Sequence, residues 1–379
     1  MPGRNEEYRI FLSAAEPSAD AHCAGLIRAL RKEAPRIEFV GVGGPKMARA
    51  GCTLLESTVA KAAMIYKAFA HVAHFYKLIR RIDQFLRTSS VDLVVVCDSP
   101  SFNFHVAKAA RKAGIKTLFY VAPQLWAWGG WRIGKLRKTC DKLCCLLPFE
   151  QDWFGRRGVE AVFVGNPLFD ELETDLAHYQ RYEDFKPENT RFAIMPGSRP
   201  AEIDSLWRPM QQVALRLKRR YAGATFVTVA VDAEREQILR AAQLPGFECQ
   251  YAVDSVHNTA RAADLAIVAS GSATLEVAAA ACPMVIMYQS SKLLWHLVGR
   301  WLVATEQLSL VNILSGKELV PEFMPYFSSI DPIVTAIEQL LEDGDGLAQL
   351  STSLAKLTGP LAEKNAREEV ARIALEMLH

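Results

Sequence analysis

The sequence lacks long apolar runs and a strong excess of either charge. No stretch of about 18 consecutive apolar residues occurs, so we expect no membrane-spanning helix. The formal net charge is only +2, with the basic residues dispersed over 379 positions, which argues against a nucleic-acid partner. Charged residues, among them Arg4, Glu6 and Arg9, stand where a signal peptide needs an apolar segment. The sequence therefore predicts a cytoplasmic protein.

Signatures of metal and nicotinamide cofactors are also missing. Cys140, Cys144 and Cys145 form the only cluster among eight cysteines, and their spacing is not that of paired zinc ligands. We expect reduced, buried thiols instead. The glycine-rich stretch at Gly41 carries Lys46 where a dinucleotide-binding motif has its third glycine. No metal and no cofactor is therefore expected.

Apolar runs rich in β-branched residues alternate with helical patterns along the chain. This alternation is typical of parallel sheets with crossover helices, and the chain exceeds what one hydrophobic core usually serves. We predict an α/β fold of two doubly wound domains, residues 1–168 and 169–349. The helical segment 350–379 is predicted to pack back on the first domain. The predicted strands are 8–13, 37–42, 92–97, 116–121, 142–147 and 162–164, then 192–195, 225–230, 247–252, 265–269 and 284–287.

A turn of small and polar residues follows the first predicted strand and contains Ser13, Glu16 and Ser18. The carboxyl ends of parallel strands face the ligand crevice of a doubly wound sheet, so these residues are candidates for substrate contact. The structural alternative is that Ser18 caps the next helix and Asp20 complements its dipole. The residues alone leave both interpretations open.

Asp98 ends an almost wholly apolar strand and precedes Ser99, Pro100 and Asn103. A carboxylate at this edge can take the proton from an acceptor hydroxyl, as glycosyl transfer requires. An aspartate that only forms the turn before Pro100 fits the sequence equally well.

Two strand–turn–helix segments of the second domain have the composition of anion-binding turns. In residues 196–199, Gly197 permits a tight turn and Arg199 offers bidentate donors to phosphate. In residues 269–276, a small-residue turn enters a helix whose N–H groups and dipole attract an anion. Ordinary helix caps look similar, but two such turns favour a diphosphate site that needs no metal. We assign to it Ser198, Arg199, Ser270, Gly271, Ser272, Ala273, Thr274 and, for ribose hydroxyls, Glu276.

In their order along the chain, these segments resemble the lipid-A-disaccharide synthase family from residue 8 to about residue 323. The most family-specific segment is Tyr120-Val-Ala-Pro-Gln-Leu-Trp126-Ala-Trp128. Other matching segments are 41–47, 147–150, 164–167, 195–199, 282–284, 309–312 and 316–320. The Ser270 turn and its glutamate are shared with many UDP-sugar transferases.

The resemblance implies an inverting glycosyltransferase with the GT-B fold and no metal ion. Such an enzyme joins UDP-2,3-diacylglucosamine to 2,3-diacylglucosamine 1-phosphate, with release of UDP, in lipid A biosynthesis. It implies that Asp98 is the base, that Arg199 contacts phosphate, that Glu276 contacts ribose and that Asn312 lies on the donor side of the cleft. The residues expected on the acceptor side or in the cleft are Ser13, Glu16, Ser18, Asn103, Gln124 and Trp126.

Two other functions stay compatible with the sequence. Another GT-B UDP-sugar enzyme acting on a lipid acceptor would share the second-domain turns, although the segment around Trp126 argues against it. A non-catalytic UDP-sugar-binding peripheral membrane protein would fit the departures from the family pattern. Those departures are Ala15, Ala19, Ser101 and Pro325. A homodimer is compatible with either function.

Two basic amphipathic segments, residues 64–86 and 292–303, indicate contact with a membrane surface. Acylated substrates reside in a bilayer, so we expect peripheral association with the inner face of the inner membrane. The alternative is that both helices simply pack into their cores. The residues assigned to the surface are Ile65, Phe69, Phe75, Tyr76, Lys77, Arg80, Arg81, Trp295 and Trp301.

Overall fold

The computed structural model describes residues 7–58, 68–170, 172, 182, 185–290 and 305–379, with side chains from residue 74 onward in the helix at 68–88. The chain forms two compact units, Met1–Glu171 with Leu361–His379, and Leu172–Pro360. The return to the first unit thus begins at Leu361, whereas the sequence placed it at about residue 350. Each unit contains one parallel sheet, which confirms the predicted α/β class.

The first unit has a seven-stranded sheet with the order β3-β2-β1-β4-β5-β6-β7. Its strands are β1 (Arg9–Ala14), β2 (Glu38–Gly43), β3 (Thr53–Ser57), β4 (Leu93–Cys97), β5 (Lys116–Tyr120), β6 (Lys142–Cys145) and β7 (Ala161–Phe163). The helices of this unit that precede the second unit in the sequence are α1 (Pro17–Glu33), α2 (Pro45–Arg49), α3 (Ala68–Thr88), α4 (Pro100–Lys112), α5 (Ile133–Thr139) and α6 (Pro148–Gly155). All five residues of β4 are buried, as expected for a parallel strand covered on both faces.

The second unit has a six-stranded sheet with the order β10-β9-β8-β11-β12-β13. Its strands are β8 (Arg191–Met195), β9 (Thr225–Ala230), β10 (Gln250–Val253), β11 (Leu265–Ala269), β12 (Met284–Met287) and β13 (Glu322–Phe323). Its helices are α7 (Pro200–Arg220), α8 (Ala233–Ala241), α9 (Val256–Ala262), α10 (Ala273–Ala279), α11 (Leu310–Ser315), α12 (Asp331–Glu342) and α13 (Gly344–Ala362). The last helix, α14 (Ala366–Leu378), belongs to the first unit.

The start of α1 differs from the sequence prediction. The helix begins at Pro17, whose fixed φ suits a first turn, and Ser18 is exposed and makes no cap. Asp20 lies in the first turn of α1, as the dipole interpretation requires, and its carboxylate has a second role. It accepts the backbone N–H groups of Gly44, Lys46 and Met47 at 2.9 to 3.0 Å. Asp20 therefore also caps α2, and only the predicted capping role of Ser18 is corrected.

The C-terminal helix α14 is hydrogen-bonded to the first unit at Asp170, just before the point where the chain enters the second unit. The buried Asp170 carboxylate accepts the N–H groups of Ala366 (2.8 Å) and Arg367 (3.2 Å) at the start of α14. Val370, Ile373 and Ala374 of α14 join the same core as β1, β4 and α1. In the part of the chain that the structure describes, no helix has the length and hydropathy needed to span a membrane.

Candidate active site

The order of the first sheet reverses between β1 and β4, and the loops that leave these strands carry the candidate acceptor residues. Ligands of doubly wound sheets bind outside the carboxyl ends of the strands at such a switch point. Glu16 follows β1 and is exposed, while Asp98 follows β4 and is half-buried. The Ser99 hydroxyl donates to Glu16 Oε1 at 3.0 Å across the reversal point. The two loops predicted to contact the substrate are thus held together.

The Asp98 turn has strained backbone. Asp98 (φ 52°) and Ser99 (φ 43°) both lie in the left-handed region, which costs energy for residues other than glycine and recurs at functional sites. The side-chain amide of Asn103 donates to the carbonyl oxygens of Cys97 (2.8 Å) and Asp98 (2.7 Å). The N–H of Asp98 donates to the Tyr120 carbonyl on β5 at 3.1 Å. These bonds fix the direction in which Asp98 leaves the strand.

Ser13 and Asn103 support this turn from within the protein. Both side chains are fully enclosed, and the Ser13 hydroxyl donates to Asn103 Oδ1 at 2.7 Å. The sequence assigned both residues to the acceptor side as substrate contacts. Their burial changes that assignment, because they position Asp98 and their polar atoms are bonded to protein.

The segment after β5 is anchored by Trp126, which is only 6% exposed. Its indole Nε1 donates to Glu150 Oε1 at 2.8 Å, and Glu150 Oε2 accepts the N–H groups of Leu146 and Leu147. Trp126 is therefore a structural anchor, contrary to its predicted contact role, whereas Gln124 is exposed as expected of a cleft residue. No role for Glu150 was predicted from the sequence, although the residue lies in one of the segments that match the family.

Burial raises the pKa of Glu150 from 4.5 to about 7, because desolvation outweighs the bonds from Trp126, Leu147 and Leu146 that favour the charged carboxylate. A carboxyl with a raised folded-state pKa stabilises the fold below its unfolded pKa. That contribution is lost as the pH rises through the folded value. The folded state therefore loses stability between about pH 4.5 and pH 7 at this residue.

We expect Glu150→Gln to flatten this pH dependence while keeping an acceptor for Trp126. Between about pH 5 and about pH 7.5, the free energy of unfolding obtained from urea titrations should fall by on the order of 2 to 3 kcal/mol more for the wild type than for the variant. Glu363→Gln, at an exposed carboxyl of the same unit, should retain the wild-type slope. Equal slopes for wild type and Glu150→Gln would contradict the raised pKa.

The second sheet reverses its order between β8 and β11, and the two predicted anion-binding turns follow these strands. After β8, Gly197 adopts φ +104°, and a Cβ there would lie 2.6 Å from Glu202 Oε2. That oxygen accepts the N–H groups of Ser198 (3.0 Å) and Arg199 (3.1 Å). Glu202 thus already occupies the free N–H groups of this turn. The Ser198 hydroxyl and the Arg199 guanidinium are exposed.

The Arg199 guanidinium makes one charged hydrogen bond within the chain, to Glu202. Its Nη1 lies 3.0 Å from Glu202 Oε1, while the Arg199 side chain is 77% exposed and that of Glu202 only 13%. A guanidinium has five N–H donors in a planar fork. A single bond to Glu202 leaves donors of Arg199 directed to solvent, where a phosphate group can accept them.

The turn after β11 is braced by Thr274. The Thr274 side chain is fully buried, and its hydroxyl donates to the Gly271 carbonyl at 2.7 Å. The hydroxyl of Thr274 therefore has a structural role, and the predicted contact of this turn with the diphosphate through its N–H groups stays a prediction. Gly271 and Ser272 are exposed at the tip, and Ser270 and Ala273 are half-buried beside it.

Glu276 lies one turn into α10 and is half-buried. Burial, with a smaller contribution from Asp254, raises its pKa from 4.5 to about 7. His257 Nδ1 lies 3.3 Å from the carbonyl oxygen of Glu276. Because a carbonyl only accepts, Nδ1 carries the proton in this contact. This contact holds the backbone of Glu276 in α10, the helix that follows the carboxyl end of β11.

Asn312 was expected on the donor side of the cleft, but its side chain is fully buried. Its Nδ2 donates to the Val320 carbonyl and to Glu322 Oε2, both at 2.9 Å. Its Oδ1 accepts the N–H groups of Leu319 and Val320. An amide side chain has two donors and two acceptor lone pairs, so none is left for a ligand. Asn312 builds the loop before β13, and its predicted role was wrong.

The predicted membrane surface falls only partly on described residues. On α3, Tyr76, Lys77, Arg80 and Arg81 are exposed. Phe75 is half-buried and meets Phe102 edge to face, with ring centres 5.3 Å apart. Three buried side chains of α3 join the core, so much of its apolar face is internal; they are Leu78, Ile82 and Leu86. Ile65, Trp295, Trp301 and the side chain of Phe69 lie outside the described residues.

Among the described residues, no group of three or more His, Cys, Asp or Glu side chains is arranged to hold a metal ion. All eight cysteines are reduced, and only Cys140 and Cys249 are partly exposed. Desolvation by burial raises the pKa of the thiols at Cys52, Cys97 and Cys144, and also those of Cys140 and Cys145. The predicted buried, reduced thiols are confirmed for most of these positions.

Two doubly wound sheets, each with polar turns at its reversal point, define a GT-B glycosyltransferase fold. Solved structures with the same fold align over nearly the whole chain. They include a spinosyn rhamnosyltransferase complexed with thymidine diphosphate (TM-score 0.58, 12% identity, 97% of this chain and 99% of that one). They also include MurG of Acinetobacter baumannii (TM-score 0.56, 14% identity, 97% and 99%).

Within this class, the chain belongs to the lipid-A-disaccharide synthase family. The family described as lipid-A-disaccharide synthetase matches residues 10–376. The lipid-A-disaccharide synthase of Geobacter sulfurreducens is 32% identical over 99% of this chain and 98% of its own length. That of Trichlorobacter lovleyi is 32% identical over 98% and 97%. The chain is therefore a glycosyltransferase of lipid A biosynthesis.

Proposed function

We propose that this glycosyltransferase transfers diacylglucosamine from UDP-2,3-diacylglucosamine to 2,3-diacylglucosamine 1-phosphate without a metal ion. The observation that carries the proposal is Asp98, a half-buried carboxylate on a strained turn at the reversal point of the first sheet. Its backbone is fixed by Asn103, so the residue that carries the carboxylate is held at the end of β4.

In the proposed step, Asp98 takes the proton from the acceptor hydroxyl as its oxygen attacks the anomeric carbon of the donor. A new C–O bond forms on one face of the sugar while the bond to the diphosphate breaks on the other, which inverts the anomeric centre. The electron pair of the broken bond leaves with UDP. Protonated Asp98 then returns its proton to solvent, which balances the step.

On the donor side, we assign the diphosphate to Arg199 and to the turn that contains Ser270 and Ser272. The guanidinium is largely exposed, and the turn offers small residues at the start of α10. Arg and oriented N–H groups together offset the charge that develops on the leaving group. Glu276 is assigned to the ribose hydroxyls, and Glu16 with Gln124 to the acceptor side.

The proposal is tested by turnover of synthetic donor and acceptor, with the product identified by mass spectrometry. We expect disaccharide formation and full activity in EDTA, because Arg199 and the helix terminus replace a metal as the counter-charge. Strict dependence on magnesium or manganese would overturn the metal-free part. UDP binding without any turnover would favour the non-catalytic UDP-sugar-binding protein instead.

We also propose peripheral membrane association through the exposed cations of α3. Lys77, Arg80 and Arg81 are exposed beside Tyr76, and each cation near an anionic surface contributes about 1 kcal/mol. Co-sedimentation with anionic vesicles should therefore be salt-sensitive and should weaken by more than about ten-fold when all three become Glu. Equal pelleting of wild type and triple variant across salt concentrations would remove α3 from the membrane surface.

A further inference from the structure

The loop after β5 exposes two large aromatic side chains. Trp128 is 46% and Trp131 is 69% exposed. The guanidinium carbon of Arg132 lies 4.4 Å from the centre of the Trp128 ring, in cation–π geometry. Desolvation by burial lowers the pKa of Arg132. Single exposed apolar residues need no explanation, but two tryptophans at one turn form an apolar surface.

The same segment is rich in positive charge. Lys135, Arg137 and Lys138 follow on α5 and are exposed. No acidic residue occurs from Gln124 to Cys140. The next one, Asp141, is paired with Arg111 at 3.2 Å. We call residues 128–138 the tryptophan loop; its four cations and two exposed indoles lie within one short stretch of chain.

The tryptophan loop is attached firmly to the first unit. Trp126, two residues before it, is buried and bonded to Glu150 at 2.8 Å. Gly129 adopts φ +77° between the two indoles, a left-handed conformation that glycine adopts without steric cost. The exposed tryptophans are therefore presented by a fixed turn.

The tryptophan loop also leaves the sheet at the edge that carries the proposed base. β4 and β5 are paired in parallel, with Cys97 opposite Tyr120. Asp98 follows the first of these strands and the segment leading to Trp128 follows the second. A surface at this edge would therefore contact the lipid bilayer that supplies the acceptor substrate.

We propose that the tryptophan loop docks on the anionic headgroup layer of a lipid bilayer. Indole rings favour the membrane–water interface, where the ring is apolar and its N–H is wet. Clustered cations without neighbouring carboxylates complement anionic lipids. The inference rests on the proposed function only in that the substrates are lipids. It adds a surface that lies on a different element from α3.

The test uses the full chain with phosphatidylcholine vesicles, with and without phosphatidylglycerol. The Lys135→Glu/Lys138→Glu variant should lower partitioning onto anionic vesicles by more than about ten-fold. The Trp128→Ala/Trp131→Ala variant should lower it several-fold and should reduce fluorescence quenching by brominated lipid. Thermal unfolding midpoints check that each variant is folded, because these side chains are exposed and their loss should change stability little.

A matched control carries the same charge change at the other edge of the sheet. Lys32 and Lys112 are exposed in the last turns of α1 and α4, and each helix runs back from the carboxyl to the amino edge. The Lys32→Glu/Lys112→Glu variant should bind vesicles nearly as the wild type does. Equal losses in both double variants would mean that net charge alone drives binding, which overturns the proposal.

These measurements distinguish failure of the docking surface from failure of the proposed function. Unchanged vesicle binding in both tryptophan-loop variants overturns the docking surface. If these variants also lose turnover on detergent-solubilised substrate, the loop contacts only the acceptor substrate and not the bilayer. If the wild type binds vesicles through the loop but makes no disaccharide, the proposed function fails and the surface stands. Loss of vesicle binding with retained turnover in detergent is the expected result.

Discussion

Replacement of Asp98 by Asn should lower kcat by roughly 10²- to 10⁴-fold, the usual contribution of a positioned base. The substitution keeps shape and hydrogen-bonding capacity, and asparagine tolerates the left-handed φ of 52° found here. The side-chain amide of Asn103 donates to the backbone carbonyl of residue 98 and not to its side chain, so the substitution should retain the turn. Turnover, UDP affinity and the unfolding midpoint are measured on the same preparation.

The control for this experiment is Glu363→Gln, which removes an equal charge at an exposed position of the same unit. It should leave kcat unchanged. Full turnover in Asp98→Asn would remove the carboxylate from the mechanism. A lower unfolding midpoint with unchanged kcat would show that Asp98 serves only the turn.

Arg199→Ala should weaken UDP binding by about 1.5 to 3 kcal/mol, the value of a hydrogen bond to a charged group. This corresponds to a loss of affinity of roughly ten-fold to a hundred-fold. Folding should survive, because Glu202 accepts from backbone N–H groups that the substitution leaves in place. Calorimetry with UDP gives the affinity directly.

Arg208→Ala is the matched control for this variant. Arg208 is exposed on the same helix, α7, beyond its first turn, so its loss should leave UDP affinity near that of the wild type. Arg199→Lys should recover part of the affinity, because the charge returns without the planar fork. Unchanged binding in Arg199→Ala would assign the diphosphate to other residues.

The strands that the sequence predicted best are central ones. β9, β11 and β12 agree with the predicted ranges residue for residue, because a parallel strand covered on both faces is a nearly continuous apolar run, interrupted within β9 only by Thr228. β3 and β13 were missed, and both are edge strands with half-buried residues and no such run. Phe247 was placed in a strand because it is apolar, yet it is buried in the turn before β10.

The polar residues of the site were located but not always given the right role. Asn103 and Asn312 lie in the predicted segments, and the amide groups of both form hydrogen bonds with backbone and side-chain atoms of the protein. Glu150 and Glu202 likewise bind N–H groups within the chain. Sequence patterns show that a polar group is near a turn, whereas its partner, protein or ligand, depends on contacts between distant segments.

Alkylation of the buried thiols can report the unfolding of this protein. Alkylating reagents attack thiolates, and burial raises the pKa of Cys52, Cys97 and Cys144 in the first unit. These thiols should become modified only in molecules whose core has opened. Cys282 is buried in the second unit. Peptide mapping after a short alkylation pulse would therefore give a separate opening rate for each unit, with no label introduced.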